Sequence, residues 1–383
     1  MKILEVIAIF QKAAGTSVFC AEVAGRLNRI VGMEAVIAVP NRLAEGMYTP
    51  DANTRLVSLK EAMESGERWD VVHIHGVWSP VLHKVTQWAR RAGIPIVWSS
   101  HGMLRKRALR MKGLKKFVAL GLYQWWDLRK AAMIHVCSGM EKRDVECLRI
   151  GVPFWQVPLG VEVGAPELIA NKREKRVLYI GRINRGKGLA NLVRAWAKVR
   201  ATGWKVEIVG FDEEGCEAEL KRMVKQLGME KEFCFPGPIY GGEKVEKIAT
   251  SSMLILPSFS ENFGSVVIEA LAQKTPVIAT KETPWEELEE RKCGWWVELG
   301  VEPLARALAE ATSLSGEERQ AMGERGRKLV EEKYTWDSVV KKMIAGYEKV
   351  LSGEVGGGAA VTKDVEAGMV VGGNPAREIR KRS

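Results

Sequence analysis

The sequence predicts an α/β fold made of two successive doubly wound domains. Three observations predict it. Short β-type apolar runs alternate with helix-periodic stretches, which implies mostly parallel sheets covered on both faces. The alternation starts afresh beyond a stretch with Pro, Gly and charge at 158–172. A chain of 383 residues is long enough for two such domains.

In the first half the strand-like runs are 3–9, 35–39, 71–75, 94–98 and 133–136, with helical stretches such as 17–28 and 79–92 between them. The opening run could mimic a secretory leader. Glu5 interrupts it and no clean small-residue cleavage site follows, so it reads as the first buried strand. In the second half the runs are 177–180, 206–209, 232–235, 253–256, 276–279 and 294–297. A helical stretch at 336–351 follows the completed second sheet.

A hydrophobic content of 46% is ordinary for a globular protein. The six cysteines form no Cys-x-x-Cys pair and have no companion histidine cluster. That argues against a disulfide framework or a zinc site and fits a reducing cytoplasm. No run of about 18 apolar residues is present, so no membrane span is expected. The net charge of +11 calls for an anionic partner. Nucleic acid, anionic lipid and a nucleotide sugar all qualify.

Two motifs carry chemistry. Gly181-Arg182-Ile183-Asn184-Arg185-Gly186-Lys187-Gly188 follows a β-type run and precedes the helical pattern Leu189, Leu192, Val193, Trp196. Arg182 and Lys187 therefore sit on a strand-to-helix loop, where doubly wound sheets bind ligands. Two cations there can hold a diphosphate, Arg as a fork and Lys as a point charge. The second motif is Ser260-Glu261-Asn262-Phe263-Gly264-Ser265-Val266-Val267-Ile268-Glu269, with Ser265 expected to cap a helix running to about 273. A helix N-terminus attracts anions. Glu261 can accept from sugar hydroxyls and Glu269 from a pair of ribose hydroxyls. Taken singly, each motif has a structural reading, as a common strand–helix turn or a dipole-favouring glutamate. Together they point to the phosphate end and the sugar end of one nucleotide-sugar site.

Glu261 and Glu269 at this spacing, with Arg182 and Lys187 in a Gly-Arg…Lys-Gly loop, resemble the retaining glycosyltransferases of family four over about residues 1–351. That resemblance implies the GT-B fold, two Rossmann-like domains facing across a cleft. It implies an acceptor-binding domain at 1–165, a nucleotide-sugar-binding domain at 166–335 and a helix at 336–351 that crosses back to the first. It also implies a retaining hexosyltransferase that uses a nucleoside diphosphate sugar. No Asp-x-Asp motif is present, so no metal or other cofactor is expected. Arg182, Lys187 and the helix start at Ser265 would then stabilise the leaving diphosphate. Glu261 would hold the sugar, helped by backbone N–H groups of Phe263, Gly264, Ser265 and Val266. The base would lie near Pro238-Ile239-Tyr240, and Gly210 is placed to approach the donor.

In the first half, Gly15-Thr16-Ser17 resembles the family's glycine-rich loop, with Ala14 in place of the usual first glycine. An ordinary strand–helix turn fits it equally. His73 and His75 share one face of a strand. Metal ligation would need a third ligand, and the sequence shows none. His75 ends that strand and can face the cleft. His101, in Ser99-Ser100-His101-Gly102, occupies the place of the family's active-site histidine, usually described as contacting the donor sugar. Glu141, three residues after Ser138, reads as half of a capping box.

Arg105, Lys106, Arg107, Arg110, Lys112, Lys115 and Lys116 interleave with Leu104, Leu109, Leu114, Phe117 and Val118, ahead of Tyr123, Trp125 and Trp126. A basic, aromatic-flanked amphipathic segment over 104–126 suits an anionic membrane surface. That would place the protein on the cytoplasmic face of the membrane, with a glycan or lipid-linked acceptor in cell-surface polysaccharide synthesis. A solvated or acceptor-binding helix face uses the same charges. No nucleic-acid-binding motif accompanies them, so nucleic acid is not an expected partner. The tail at 352–383 contains Val361-Thr362-Lys363-Asp364-Val365 and Val371-Gly372-Gly373-Asn374-Pro375-Ala376, which resembles the last coil of hexapeptide-repeat acyltransferases. A single coil buries no solenoid core, so no acyltransferase activity is implied.

Overall fold

The computed structural model describes residues 1–11, 15–41, 48–110, 113–164, 173–354, 369–372 and 377–381. Ala14, Lys112, the stretch 165–172 of the expected domain border and most of the tail lie outside the described residues. The chain divides into two units. One is Met1–Pro158 together with Val339–Ser383, the other Leu159–Ser338.

The first unit carries a seven-stranded sheet: β1 (Lys2–Ile7), β2 (Glu34–Val39), β3 (Arg55–Ser58), β4 (Val71–His75), β5 (Ile96–Ser99), β6 (Met133–Val136) and β7 (Phe154–Gln156), in the order β3-β2-β1-β4-β5-β6-β7. All neighbours run parallel. The central strands are apolar runs because helices cover both faces. Leu4, Val6, Val36, Ile74 and Trp98 form one side of this core. The sequence missed β3 and β7 for a physical reason. Both are edge strands with few buried positions, so neither carries a continuous apolar run.

The second unit carries β8 (Glu174–Ile180), β9 (Lys205–Val209), β10 (Phe233–Gly237), β11 (Ser251–Leu256), β12 (Val277–Thr280) and β13 (Gly294–Val297), all parallel, in the order β10-β9-β8-β11-β12-β13. The helix Leu189–Val199 buries Leu192, Val193 and Trp196. Burying side chains of this kind is worth roughly 1.5–3 kcal/mol each.

Among the described residues the basic segment is helical over Lys106–Arg110 and again over Gly113–Ala119, a π-helical turn Leu120–Gln124 and Trp125–Leu128, the last three following one another directly. Leu104 and Leu128 are buried in the core, and buried Arg105 pairs with Asp144 at 3.0 Å. Phe117, Val118, Leu122 and Trp126 remain exposed. Among the described residues no helix is long and apolar enough to cross a membrane. The described tail strands, β14 (Met369–Gly372) and β15 (Arg377–Lys381), pair antiparallel. Coils of a β-helix stack parallel, so the hexapeptide resemblance carries no argument further.

Candidate active site

In the second sheet the strand order reverses between β8 and β11. Open α/β sheets bind ligands at the carboxyl ends of the strands flanking such a switch point. The loop after β8 carries Arg182 and Lys187, and the loop after β11 carries Glu261. The two loops touch through backbone. Gly188 sits at φ +67°, and a Cβ there would lie 2.0 Å from the Pro257 carbonyl oxygen. Only glycine fits both the conformation and the approach. The Phe259 N–H also donates to the Gly186 carbonyl at 3.0 Å. Gly210 serves a similar close approach within the protein, since a Cβ on it would lie 1.7 Å from the Gly181 carbonyl oxygen.

This contact brings the predicted charges together. Lys187 Nζ lies 2.5 Å from Glu261 Oε1, and both side chains are largely buried. Ser258 Oγ donates to the same carboxylate oxygen at 2.7 Å. Arg182 is 61% exposed, so it can swing to a ligand, and it pairs with Glu213 at 2.8 Å. Asn184 Nδ2 donates to the other oxygen of Glu213 at 2.7 Å. The bond from Asn184 and the charge of Arg182 hold Glu213 below the usual carboxylate range. Glu269 pairs with Lys244, on the helix Gly241–Thr250.

The helix after this loop is Ser265–Ala272, and its cap is Gly264 at φ +79° rather than Ser265. Gly264 supplies a left-handed conformation that disfavours side chains, leaving Ser265 at the first helical position. The N–H groups of the first turn lack intrahelical acceptors and face an anion favourably. Phe263 and Val266 bury their side chains, so only their backbone is available to a ligand. The Phe263 ring packs 5.0 Å from that of Trp285, and Trp285 Nε1 donates to the Phe263 carbonyl at 2.5 Å. Ile239 is part-buried beside exposed Tyr240, just after the edge strand β10.

The first unit has its own switch point, between β1 and β4. Gly15 opens the helix Gly15–Leu27 with open space where a Cβ would stand. Glu5 lies opposite His73 in the parallel register of β1 and β4. The structure thereby supplies the third ligand atom that the sequence did not show. Glu5, His73 and His75 place potential metal-ligating atoms within 4.8 Å of one another. Each is already hydrogen-bonded. His75 Nε2 meets Glu5 Oε2 at 2.6 Å, His75 Nδ1 meets His101 Nε2 at 2.8 Å, and Tyr347 donates to Glu5 at 3.1 Å. His73 bridges Tyr347 and Ser99, each at 2.7 Å, and Ser99 reaches His135 at 2.6 Å. Burial opposes ionisation of Glu5, but the charge of His73 and bonds from His73 and His75 outweigh it and hold Glu5 well below its ordinary value. Burial pushes His75, His101 and His135 down, His135 to about 3.

His101 adopts φ +47° and Gly102 φ +77°. A left-handed non-glycine residue costs on the order of 1–3 kcal/mol and needs its surroundings to hold it. Glu141 does so. Its buried carboxylate accepts from Ser100 Oγ at 2.6 Å, the Gly102 N–H at 2.5 Å and the Cys137 N–H at 2.8 Å. The capping reading was thus incomplete. Ser138 Oγ does accept from the Glu141 N–H at 3.1 Å, but the glutamate side chain clamps the histidine loop.

Two family models match this chain: a glycosyl transferase 4-like domain at 9–160 and the glycosyl transferases group 1 at 165–329. The chain belongs to the group 1, family-four-like glycosyltransferases. An uncharacterized glycosyltransferase of Methanocaldococcus jannaschii is 28% identical over 46% of this chain and 45% of its own length. The phosphatidyl-myo-inositol mannosyltransferase of Mycobacterium leprae is 26% identical over 84% of both chains. The chain spans about half the length, or less, of the first curated relatives it matches. The crystal structure of Anabaena HepE in complex with UDP and glucose superposes with a TM-score of 0.72 at 15% identity, covering 91% of this chain and 100% of that one. The glycosyltransferase therefore has the GT-B fold of two parallel Rossmann-like sheets. Glu5, Glu141, Glu213, Lys244 and Trp285 were missed as site residues because their partners lie far away in sequence. Glu5 left a sequence signal as a carboxylate inside an apolar strand, and Glu141 left one in its spacing from Ser138.

Proposed function

We propose that the protein is a retaining hexosyltransferase moving a sugar from a nucleoside diphosphate sugar to a glycan or lipid-linked acceptor. The observation that carries this reading is the Lys187–Glu261 pair at the second switch point, beside Arg182 and a free helix start. In the reaction the bond from the anomeric carbon to the diphosphate oxygen breaks, an acceptor hydroxyl oxygen takes that carbon, and the hydroxyl proton passes to the departing phosphate oxygen. Negative charge grows on the leaving diphosphate. Arg182, Lys187 and the N–H groups of Gly264, Ser265 and Val266 are the groups to neutralise it, and electrostatic groups of this kind are worth about 10²- to 10³-fold each. Glu261 accepts from sugar hydroxyls and Glu269 from the ribose. Gly210 and Ile239 border the base side, and Gly15 leaves room in the first unit. His101 contributes a hydrogen-bond acceptor for a sugar hydroxyl.

The acceptor reading rests on a separate observation. Phe117, Val118, Leu122 and Trp126 are exposed beside exposed Arg110 and Lys115. An apolar patch with basic neighbours suits an anionic membrane surface, each cation near it contributing about 1 kcal/mol. The lipid named as substrate of the Mycobacterium leprae relative supports a lipid-linked acceptor. We infer that the protein works at the cytoplasmic face of the membrane in cell-surface polysaccharide synthesis, such as that of lipopolysaccharide.

The test is nucleoside diphosphate release from a panel of UDP-, GDP- and ADP-sugars with membrane lipid or glycan acceptors, with the product anomer read by NMR. Release from one donor with retained configuration supports the proposal. Inverted configuration, or no release with any pair, contradicts it.

A further inference from the structure

The first unit fixes the protonation of His101 by a chain of bonds that starts at a buried carboxylate. We propose that Glu5 and His75 are positioning residues that lock His101 in the tautomer protonated on Nε2, so that its Nδ1 offers only a lone pair. The contacts set each step when Glu5 is ionised and His75 is neutral. An ionised carboxylate can only accept, so the 2.6 Å contact of His75 Nε2 with Glu5 Oε2 requires the proton on His75 Nε2. Burial disfavours an imidazolium at His75, and a neutral ring protonated on Nε2 has a bare Nδ1. The 2.8 Å contact of that atom with His101 Nε2 then requires His101 Nε2 to donate. One proton on the neutral His101 ring leaves Nδ1 bare. Burial of both rings, which disfavours the imidazolium, agrees with one proton on each. His101 is part-exposed, and its Nδ1 has no hydrogen-bond partner among the described residues.

The other branch obeys the same donor and acceptor rules. The Val157 carbonyl can only accept, so His135 donates to it from Nε2 at 2.9 Å and accepts from Ser99 at Nδ1. Ser99 has one proton to give, so it accepts from His73 Nε2. Tyr347 and Glu5 join the two branches.

A bare nitrogen accepts from a hydroxyl and cannot donate to a phosphate oxygen. His101 therefore selects a hydroxyl-bearing sugar, and in this respect the inference rests on the glycosyltransferase reading. The reverse polarity is chemically available. A protonated Glu5, or an imidazolium at His75, would turn His101 Nε2 into an acceptor and put a proton on Nδ1.

The experiment is long-range proton–nitrogen NMR at pH 7 on the full chain labelled with ¹⁵N-histidine. The chain has five histidines, and His101 is assigned by its loss in His101→Gln. The expected spectrum shows neutral His101 protonated on Nε2. An Nδ1-protonated ring, an imidazolium or an averaged pair of tautomers overturns the proposal. Stoichiometric metal bound to Glu5, His73 and His75 overturns it as well. Glu5→Leu and His75→Phe are expected to release the tautomer and lower kcat/KM by about 10- to 100-fold, the scale of loss when the hydrogen-bond partner of a metal-bound histidine is removed. Glu5→Gln keeps an acceptor for His75 and is expected to restore both. Retention of the Nε2 form in His75→Phe overturns the role of His75. The wild-type spectrum needs no substrate, so it stands or falls separately from sugar transfer.

Discussion

Lys187 and Glu261 form an ion pair of 2.5 Å between two loops that follow adjacent strands at a switch point. A charge pair this far from water is costly to break by removing one partner. Lys187→Ala and Glu261→Ala are each expected to lower kcat/KM by on the order of 10²-fold. The double variant is expected to fall far short of the product of the two, because the residues act as one unit. Steady-state kinetics of the four proteins check this, and strict additivity contradicts it.

With Arg182 in its proposed role, its partner Glu213 would compete with the donor. The pair is exposed, and such pairs are worth about 0–1 kcal/mol. Glu213→Gln is therefore expected to tighten donor binding by no more than about fivefold, measured by calorimetry. Weaker binding would show that Glu213 itself touches the donor.

Glu141 is the acceptor for three donors around His101. Glu141→Ala leaves them unpaired in a buried place, and hydrogen bonds to charged groups contribute about 1.5–3 kcal/mol each. The expected result is a loss of at least about 3 kcal/mol in urea unfolding, on the same scale. A variant as stable as the wild type contradicts the clamp.

Acid is expected to destabilise the first unit. His75, His101 and His135 have lowered values in the fold, so the unfolded chain binds more protons as pH drops below about 6.5. Their contribution is complete above that pH and falls away toward the folded values, which for His135 is about 3. Glu5 is also lowered, and it adds loss of the same sign below its ordinary value. Each histidine contributes a slope of up to about 1.4 kcal/mol per pH unit. Urea midpoints from pH 8 to 5 check this, and a flat profile contradicts it.

Phe117, Leu122 and Trp126 are exposed on the basic segment. Replacing all three with Ser is expected to abolish flotation with anionic vesicles while leaving donor binding unchanged. Binding by the wild type is expected to weaken in high salt. Equal flotation of the variant would remove the membrane-docking role.

The sheets were legible, as were the two loops proposed to form the donor site, because each motif is continuous in sequence. Strand, glycine turn and helix follow one another around Arg182 and Lys187, and again around Glu261 and Glu269. The counter-charges were not legible. Glu213 and Lys244 come from other loops and helices, and no spacing rule links them to Arg182 or Glu269. The inward contacts of the basic segment were not legible for the same reason. Its run of cations contains no acid, yet Asp144 meets Arg105 from a later helix, and Leu104 and Leu128 turn inward. The histidine network depends on parallel register, which sets Glu5 against His73 and cannot be read from either strand alone.

The most direct measurement is equilibrium titration of UDP-, GDP- and ADP-sugars into the full chain and into an Arg182→Ala/Lys187→Ala/Glu261→Ala variant. The account predicts that one donor binds the wild type and that the variant loses this binding. Equal binding by the variant, or no binding of any donor to the wild type, would contradict the assignment of the second switch point as a nucleotide-sugar site.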